Sequence, residues 1–428
     1  MNTELFEDLL SQGAALMAEE NYEAAKKNFE NALKVNPKSA KGYMHLGNAC
    51  ANLELFDDAI QSFKNALLLE PDNGEALFSI GNAYLLKKDT LRAVEYYNKA
   101  EKAGTCRPDM YFIMAGVFMD AGDEIQALRS INKAIGASPL DGRLRLFKVQ
   151  IYLAGSRYEE ALETLDEMEQ ALPDAFEAYH LRTEIYCGQK NYEKALEICN
   201  RALERFPKDS GLAADKLKVL VDWEKDEMAR EWLEYLRQQE FYGNIRKEAA
   251  VLESILTLRN GDTGEALSVL LGANEALGND PDLLYLILDI YGKFSDSTHV
   301  IEISELLLSM ELPKRYEAGA KYFHANALEK LGRTQEAQEE YRRLTREFRR
   351  MTIEEPGFYE GYIYRLLSHV SLGEYEKAMT LAEYIENLYP KKADAHAFKY
   401  HIYKKKGDMA MAEKEKNIVH KINPDFVL

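Results

Sequence analysis

Between residues 40 and 73 the apolar and small positions fall into two sets at helical spacing. Tyr43, Leu46, Gly47 and Cys50 form the first, and Phe56, Ala59, Phe63 and Ala66 the second, before Pro71 closes the stretch. Each set marks one face of an amphipathic helix. Asn52 to Leu55 form the turn between them. Pro71 stops the second helix, and Asp72, Asn73 and Gly74 turn the chain into the next helix pair. Gly47 and Ala59 are small because two antiparallel helices are expected to cross closely there, and a larger side chain would push them apart. Phe63 fills the space between this pair and the next.

The pattern recurs. Alanine falls at steps of 34 residues, at Ala25, Ala59, Ala93, Ala127, Ala161, Ala195 and Ala229. Pro37 and Pro71, then Pro139, Pro173 and Pro207 after a double step, keep the same period at another phase. A fixed period of this length means that each repeat is one supersecondary unit stacked on its neighbours. After Pro207 the beat loosens. Ala266 lies 37 residues beyond Ala229, Val300 takes the next position, and Ala337, Ala378 and Ala412 continue. Gln238 to Arg246 reads as a short insertion, and Met351 to Phe358 as another.

These residues resemble the tetratricopeptide repeat, a helix–turn–helix unit of about 34 residues. The family's small residue on the first helix is Gly13, Gly47 and Gly81, then Ala115. Its aromatic four residues after the alanine is Phe29, Phe63 and Tyr97, then Ile131, Leu165 and Cys199. The family's helix-opening Trp is absent; Leu9, Tyr43, Leu77, Tyr111 and Tyr179 stand in its place. The resemblance implies an all-α fold, a right-handed superhelical α-solenoid of about twelve tetratricopeptide-like repeats. Residues 1–207 are expected to hold six regular units, 208–315 degenerate ones, and 316–428 C-terminal ones with an insert at 351–358. The middle stretch is expected to pack normally despite its drift, with a hinge as the alternative.

The resemblance also implies a binding face. Inward-facing residues of a first helix lie one after Tyr43, then four and eight further on. That register gives Met44, Asn48 and Asn52 in the second unit, Phe78 and Asn82 in the third, Phe112 in the fourth, Gln150 in the fifth and Asn326 in the tenth. An amide side chain both donates and accepts, so it can pair with an extended backbone without selecting a sequence. Met44, Phe78 and Phe112 would supply apolar pockets. The implied function is a scaffold or adaptor that binds extended peptides or helical segments in a concave groove. A regulator whose superhelix changes curvature on binding peptide is the alternative, and an enzyme with a site in the middle repeats a third reading. The family's two-carboxylate clamp for chaperone tails does not carry over. Asn48 matches one clamp residue, but Met44, Ser79, Asp109 and Ile113 replace the others.

Charge narrows the partner. The chain carries −18 at pH 7, which argues against nucleic acid. Residues 311–428 hold 21 Lys+Arg against 19 Asp+Glu, a balance of +2 that leaves −20 for residues 1–310. A basic protein or peptide segment is therefore expected at the N-terminal part. Arg342, Arg343, Arg346, Arg349 and Arg350 form a basic run that Glu339, Glu340 and Glu347 can neutralise, with docking of an acidic partner as the sharper reading. Four cysteines without framework spacing, an acidic start and no long apolar run point to a cytoplasmic protein without a membrane span.

Candidate chemistry is sparse. His180, Glu184 and Cys187 share a helix face but lack a further ligand, so neither metal nor cofactor is expected. The chain carries no Gly-rich phosphate loop, no HExxH and no nucleophile elbow, and is read as non-enzymatic. Cys187 and Cys199 are expected to be buried small hydrophobes, and Trp223 and Trp232 to pack between helices. The apolar end, Ile418, Val419, Ile422 and Phe426-Val427-Leu428, is expected to fold back on the last helix. Self-association through it is the alternative.

Overall fold

In the computed structural model, which describes residues 2–294, 296–424, 426 and 428, each alanine of the ladder is the fourth residue of a helix. The chain forms two compact units, Met1–Phe206 and Pro207–Leu428. Helices in the first are α1 (Asn2–Ala18), α2 (Tyr22–Val35), α3 (Ala40–Asn52), α4 (Phe56–Leu69), α5 (Gly74–Leu86), α6 (Thr90–Lys102), α7 (Pro108–Asp120), α8 (Glu124–Ala137), α9 (Gly142–Ala154), α10 (Tyr158–Ala171), α11 (Glu177–Gly188) and α12 (Tyr192–Arg205). The second holds α13 (Ser210–Asp222), α14 (Asp226–Arg237), α15 (Arg246–Arg259), α16 (Thr263–Ala276), α17 (Pro281–Lys293), α18 (Ser297–Leu308), α19 (Lys314–Lys330), α20 (Thr334–Glu354), α21 (Tyr359–Ser371), α22 (Tyr375–Leu388), α23 (Asp394–Lys406) and α24 (Met409–Ile422). No strand is present among the described residues. Odd-numbered helices open a pair, and even-numbered ones, which carry the ladder, close it.

One turn chemistry joins the two helices of a pair. The first helix ends on a left-handed residue, at Glu20, Glu54, Lys88, Gly122, Ser156, Lys190, Glu224, Gly261, Gly332, Gly373 and Gly407. Its neighbours complete a Schellman motif: the Glu54 N–H donates to Ala51 O at 3.0 Å and the Leu55 N–H to Cys50 O at 2.9 Å. The next residue often caps the second helix, as Asn21, Asp89, Asp123, Asn191, Asp262 and Asp408 do. Where a proline follows the second helix, the residue before it is extended, as at Glu70 (φ −134°, ψ 86°) before Pro71. The pyrrolidine ring disfavours helical geometry there.

The helix crossing explains the small residues. A Cβ on Gly13, Gly47 or Gly81 would overlap the ring of Phe29, Phe63 or Tyr97 across the pair. Later pairs share the volume differently at the same two positions. Ala115 is in register with Ile131, and Val149 with Leu165, all buried. Thr183 Oγ1 lies 3.6 Å from Cys199 Sγ. In two pairs of the second unit the large residue sits on the first helix, Leu288 with Ser304 and Leu366 with Ala382, again all buried.

The stretch 208–315 consists of ordinary helix pairs, and its ladder residues Ala229, Ala266 and Val300 are buried. The insertion at Gln238–Arg246 holds a short 3-10 helix, Glu240–Ile245. The insert at 351–358 lengthens a helix before it becomes a turn. α20 runs 21 residues, and Phe348, Met351 and Phe358 join one core cluster that pins the extra turn. At the C-terminus Ile422, Phe426 and Leu428 pack on Ala393, Ala397 and Val419, so the tail folds back on the last pair; Val427 lies outside the described residues.

Candidate functional site

In the first unit the residues of the inward register have unequal fates. Asn48 and Asn52 are exposed on α3, and the Asn52 amide donates to Asn48 O at 2.9 Å. Met44 is half-buried and leans on the core beside Ala40, Ala66 and Ala76. Asn82 does structural work: its Oδ1 accepts from the Tyr97 hydroxyl at 2.6 Å. That tyrosine is 0% exposed, and burial pushes its hydroxyl pKa well above the usual range. Phe78 is buried, its ring 5.7 Å from Tyr97 and capped by the Arg107 guanidinium at 4.5 Å. It packs between helices instead of offering an open wall. Phe112 stays 37% exposed on α7, with its ring 4.9 Å from Phe147 of α9. It lines a cleft of about 390 Å³ with Pro108, Asp109, Asp141, Arg143 and Leu144. Gln150 is exposed on α9.

In the second unit the same register closes on a cavity. Tyr322, Asn326 and Lys330 on α19, Leu367 and Ser371 on α21, and His401 and Lys405 on α23 line a space of about 890 Å³. These are first helices of three successive pairs. Asn326 sits at the middle position of its register, and its amide reaches the Tyr341 hydroxyl at 3.5 Å, while that hydroxyl donates to Glu329 at 3.0 Å. Tyr322 stacks on Tyr364 at 5.4 Å, and burial holds its pKa up at about 12. His401 titrates below its ordinary value because of burial, reinforced by Lys404 and Lys405. Of these residues the sequence pattern singles out Asn326 alone. Counting back from Ala337, Ala378 and Ala412 by the offsets that lead from Ala59 to Met44, Asn48 and Asn52 recovers the rest.

The remaining sequence expectations divide. Glu340 is engaged by His324 at 2.9 Å, and Glu347 by Lys321, both on α19. The basic run of α20 is therefore only partly neutralised along its own helix, with Arg343 4.0 Å from Glu340 and Arg350 3.7 Å from Glu354. Cys199 is buried, but Cys187 is only half-buried, so the expectation of two buried thiols holds for one. The Trp232 indole N–H donates to Ala213 O at 3.1 Å, and Lys216 covers its ring at 3.9 Å. Among the described residues no three His, Cys, Asp or Glu side chains are grouped to hold a metal ion, and no helix is long and apolar enough to cross a membrane.

Successive helix pairs that bury one small-residue ladder, and leave their first helices to line clefts, define an all-α repeat scaffold for protein interaction. Tetratricopeptide-repeat family models match residues 10–64, 52–108 and 322–393, and residues 118–185 and 157–218. The chain belongs to the tetratricopeptide-repeat family, whose members are typically non-catalytic scaffolds. No curated protein matches it. Among solved structures it is similar to YrrB, a TPR protein with an unusual peptide-binding site, at 22% identity over 43% of this chain and 95% of that one, with a TM-score of 0.36. Naa15/Naa10 bound to HypK-THB is similar at 17% identity over 98% of this chain and 64% of that one, with a TM-score of 0.40. Pseudomonas aeruginosa pilF gives 16% identity over 49% and 96%, with a TM-score of 0.38.

Proposed function

We propose that the first-helix faces of this scaffold capture extended protein or peptide segments, with amides reading backbone and apolar side chains reading the segment's own side chains. The observation that supports this most is the 890 Å³ cavity on which α19, α21 and α23 converge, with Asn326 in its wall. A space of that size is in the range that holds a bound group. In the first unit the exposed amides Asn48 and Asn52, and the half-open ring of Phe112, offer the same chemistry. Residues 1–206 carry 33 Asp+Glu against 23 Lys+Arg, which favours basic residues in the segment bound there.

The test uses a peptide array to find a binding segment, followed by titration of that peptide. Asn48→Ala with Phe112→Ala, or Asn326→Ala alone, is expected to weaken binding at least tenfold while the melting curve stays within about 2 °C of wild type. Affinity that survives all three substitutions would move the binding surface off the first helices.

A further inference from the structure

Two first helices bury a cation at the position thirteen residues before the ladder residue of their pair: Arg182 before Ala195 and Lys399 before Ala412. Each draws its counter-charge from the preceding second helix. Arg182 pairs with Asp166 at 2.6 Å and Glu169 at 3.2 Å, and Lys399 pairs with Glu386. Arg365 holds this same register on α21, before Ala378. Asp166 and Glu169 lie sixteen and thirteen residues before Arg182; counted back from Arg365, the same two places on α20 hold Arg349 and Thr352. A cation thus faces a cation where Arg182 meets Asp166, and Thr352 stands where Lys399 meets Glu386. The Nε of Arg365, like that of Arg182, is sealed from solvent with no hydrogen-bond partner, but Arg182 has carboxylates on its other two nitrogens and Arg365 has none among the described residues. Burial, reinforced by the charge of Arg349, pulls the Arg365 pKa down.

A cavity of about 890 Å³ opens over Arg365 between α20, α21 and α22. Arg346, Arg349, Arg365 and Lys377 line it, with Ile353 and Leu381 among its apolar walls and no Asp or Glu. Lys377 is already paired with Glu374 at 2.8 Å. Among the described residues the three arginines have no carboxylate partner, because Glu340 and Glu347 are engaged by α19. Arg346 and Arg349 are exposed and Arg365 is half-buried, so three like charges share one cleft without a carboxylate in a chain of net charge −18, and an anion from outside relieves their mutual repulsion.

We propose that this cavity is an oxyanion site that takes a phosphoryl dianion, free or carried on a small apolar body. Guanidinium forks match the several oxygens of a phosphoryl group, and two negative charges balance three cations better than one carboxylate does. The site shares no lining residue with the cavity that holds Asn326, so either can fail without the other.

The experiment is calorimetric titration of the full-length protein at constant ionic strength with phenyl phosphate, inorganic phosphate and acetate. Saturable binding of a phosphate is expected, at least tenfold weaker in Arg349→Gln and unchanged in Arg342→Gln, whose side chain lies outside the cavity. Tighter binding of phenyl phosphate than of inorganic phosphate assigns the ligand an apolar body, and equal binding assigns the free ion. Arg349→Glu supplies the carboxylate that Arg182 has in Asp166. It is expected to raise the ligand-free melting temperature and abolish phosphate binding. The proposal is overturned if neither phosphate saturates, if acetate binds as well as phosphate, or if Arg349→Glu leaves phosphate binding intact.

Discussion

Asn82 and Asn326 occupy one register but carry different duties. The Tyr97 hydroxyl is fully buried and its hydrogen bond goes to Asn82, whereas the Tyr341 hydroxyl also has Glu329. Asn82→Ala therefore strands a buried donor and is expected to cost about 1–3 kcal/mol of stability, while Asn326→Ala costs less than about 1 kcal/mol. Urea unfolding of the two variants checks the order; equal losses would mean that the Asn82 bond contributes nothing. Asn48 faces no such hydroxyl, since the aromatic across its pair is Phe63, and it stays exposed. One hydroxyl group separates a structural amide from a free one. The distinction is invisible along the first helix alone, because it depends on a residue of the second helix that only the crossing brings near.

At the scale of the element, the turn between paired helices is the most regular device in the molecule. The left-handed position is glycine in several pairs but Glu20, Glu54, Lys88, Ser156 and Lys190 in the regular half, and Glu224 beyond it. A side chain in that conformation costs about 1 kcal/mol that glycine avoids. Glu54→Gly is expected to stabilise the protein by up to about 1 kcal/mol, and Gly332→Ala to destabilise it by a similar amount. Thermal unfolding reads both signs; a loss on Glu54→Gly would show that the Glu54 side chain makes a contact that outweighs the strain. The helix crossing is equally regular in volume but not in residue type. Gly47 against Phe63 and Leu366 against Ala382 fill comparable space with the large partner on opposite helices. That inversion is why the repeat pattern fades in the second unit while the packing does not, as interiors select for filled volume over identity.

For the whole molecule, stability is a sum of nearest-neighbour contacts within each unit. Ala59→Phe places a ring in a fully buried crossing and is expected to cost about 1–3 kcal/mol. Its effect on amide hydrogen exchange is expected to be largest in α3 and α4, smaller in α1, α2, α5 and α6, and absent in α19–α24. Uniform deprotection of the chain would contradict nearest-neighbour coupling. The sequence by itself determined the class of fold, because the 34-residue step of buried alanine and the proline stops are local necessities of a helix crossing and a helix end. It also set one register along every first helix, since helical spacing carries an offset from one ladder position to any other residue of its pair. What only the tertiary structure decided is which residues on that register are free, and where charge is left over. Tyr97 claims Asn82, Arg107 covers Phe78, and α19 binds Glu340 and Glu347, so that of the arginines of α20 only Arg343 comes within 4.0 Å of Glu340. Each of these is an encounter between helices, and a hydrogen bond or ion pair goes to whichever partner the packing brings within reach.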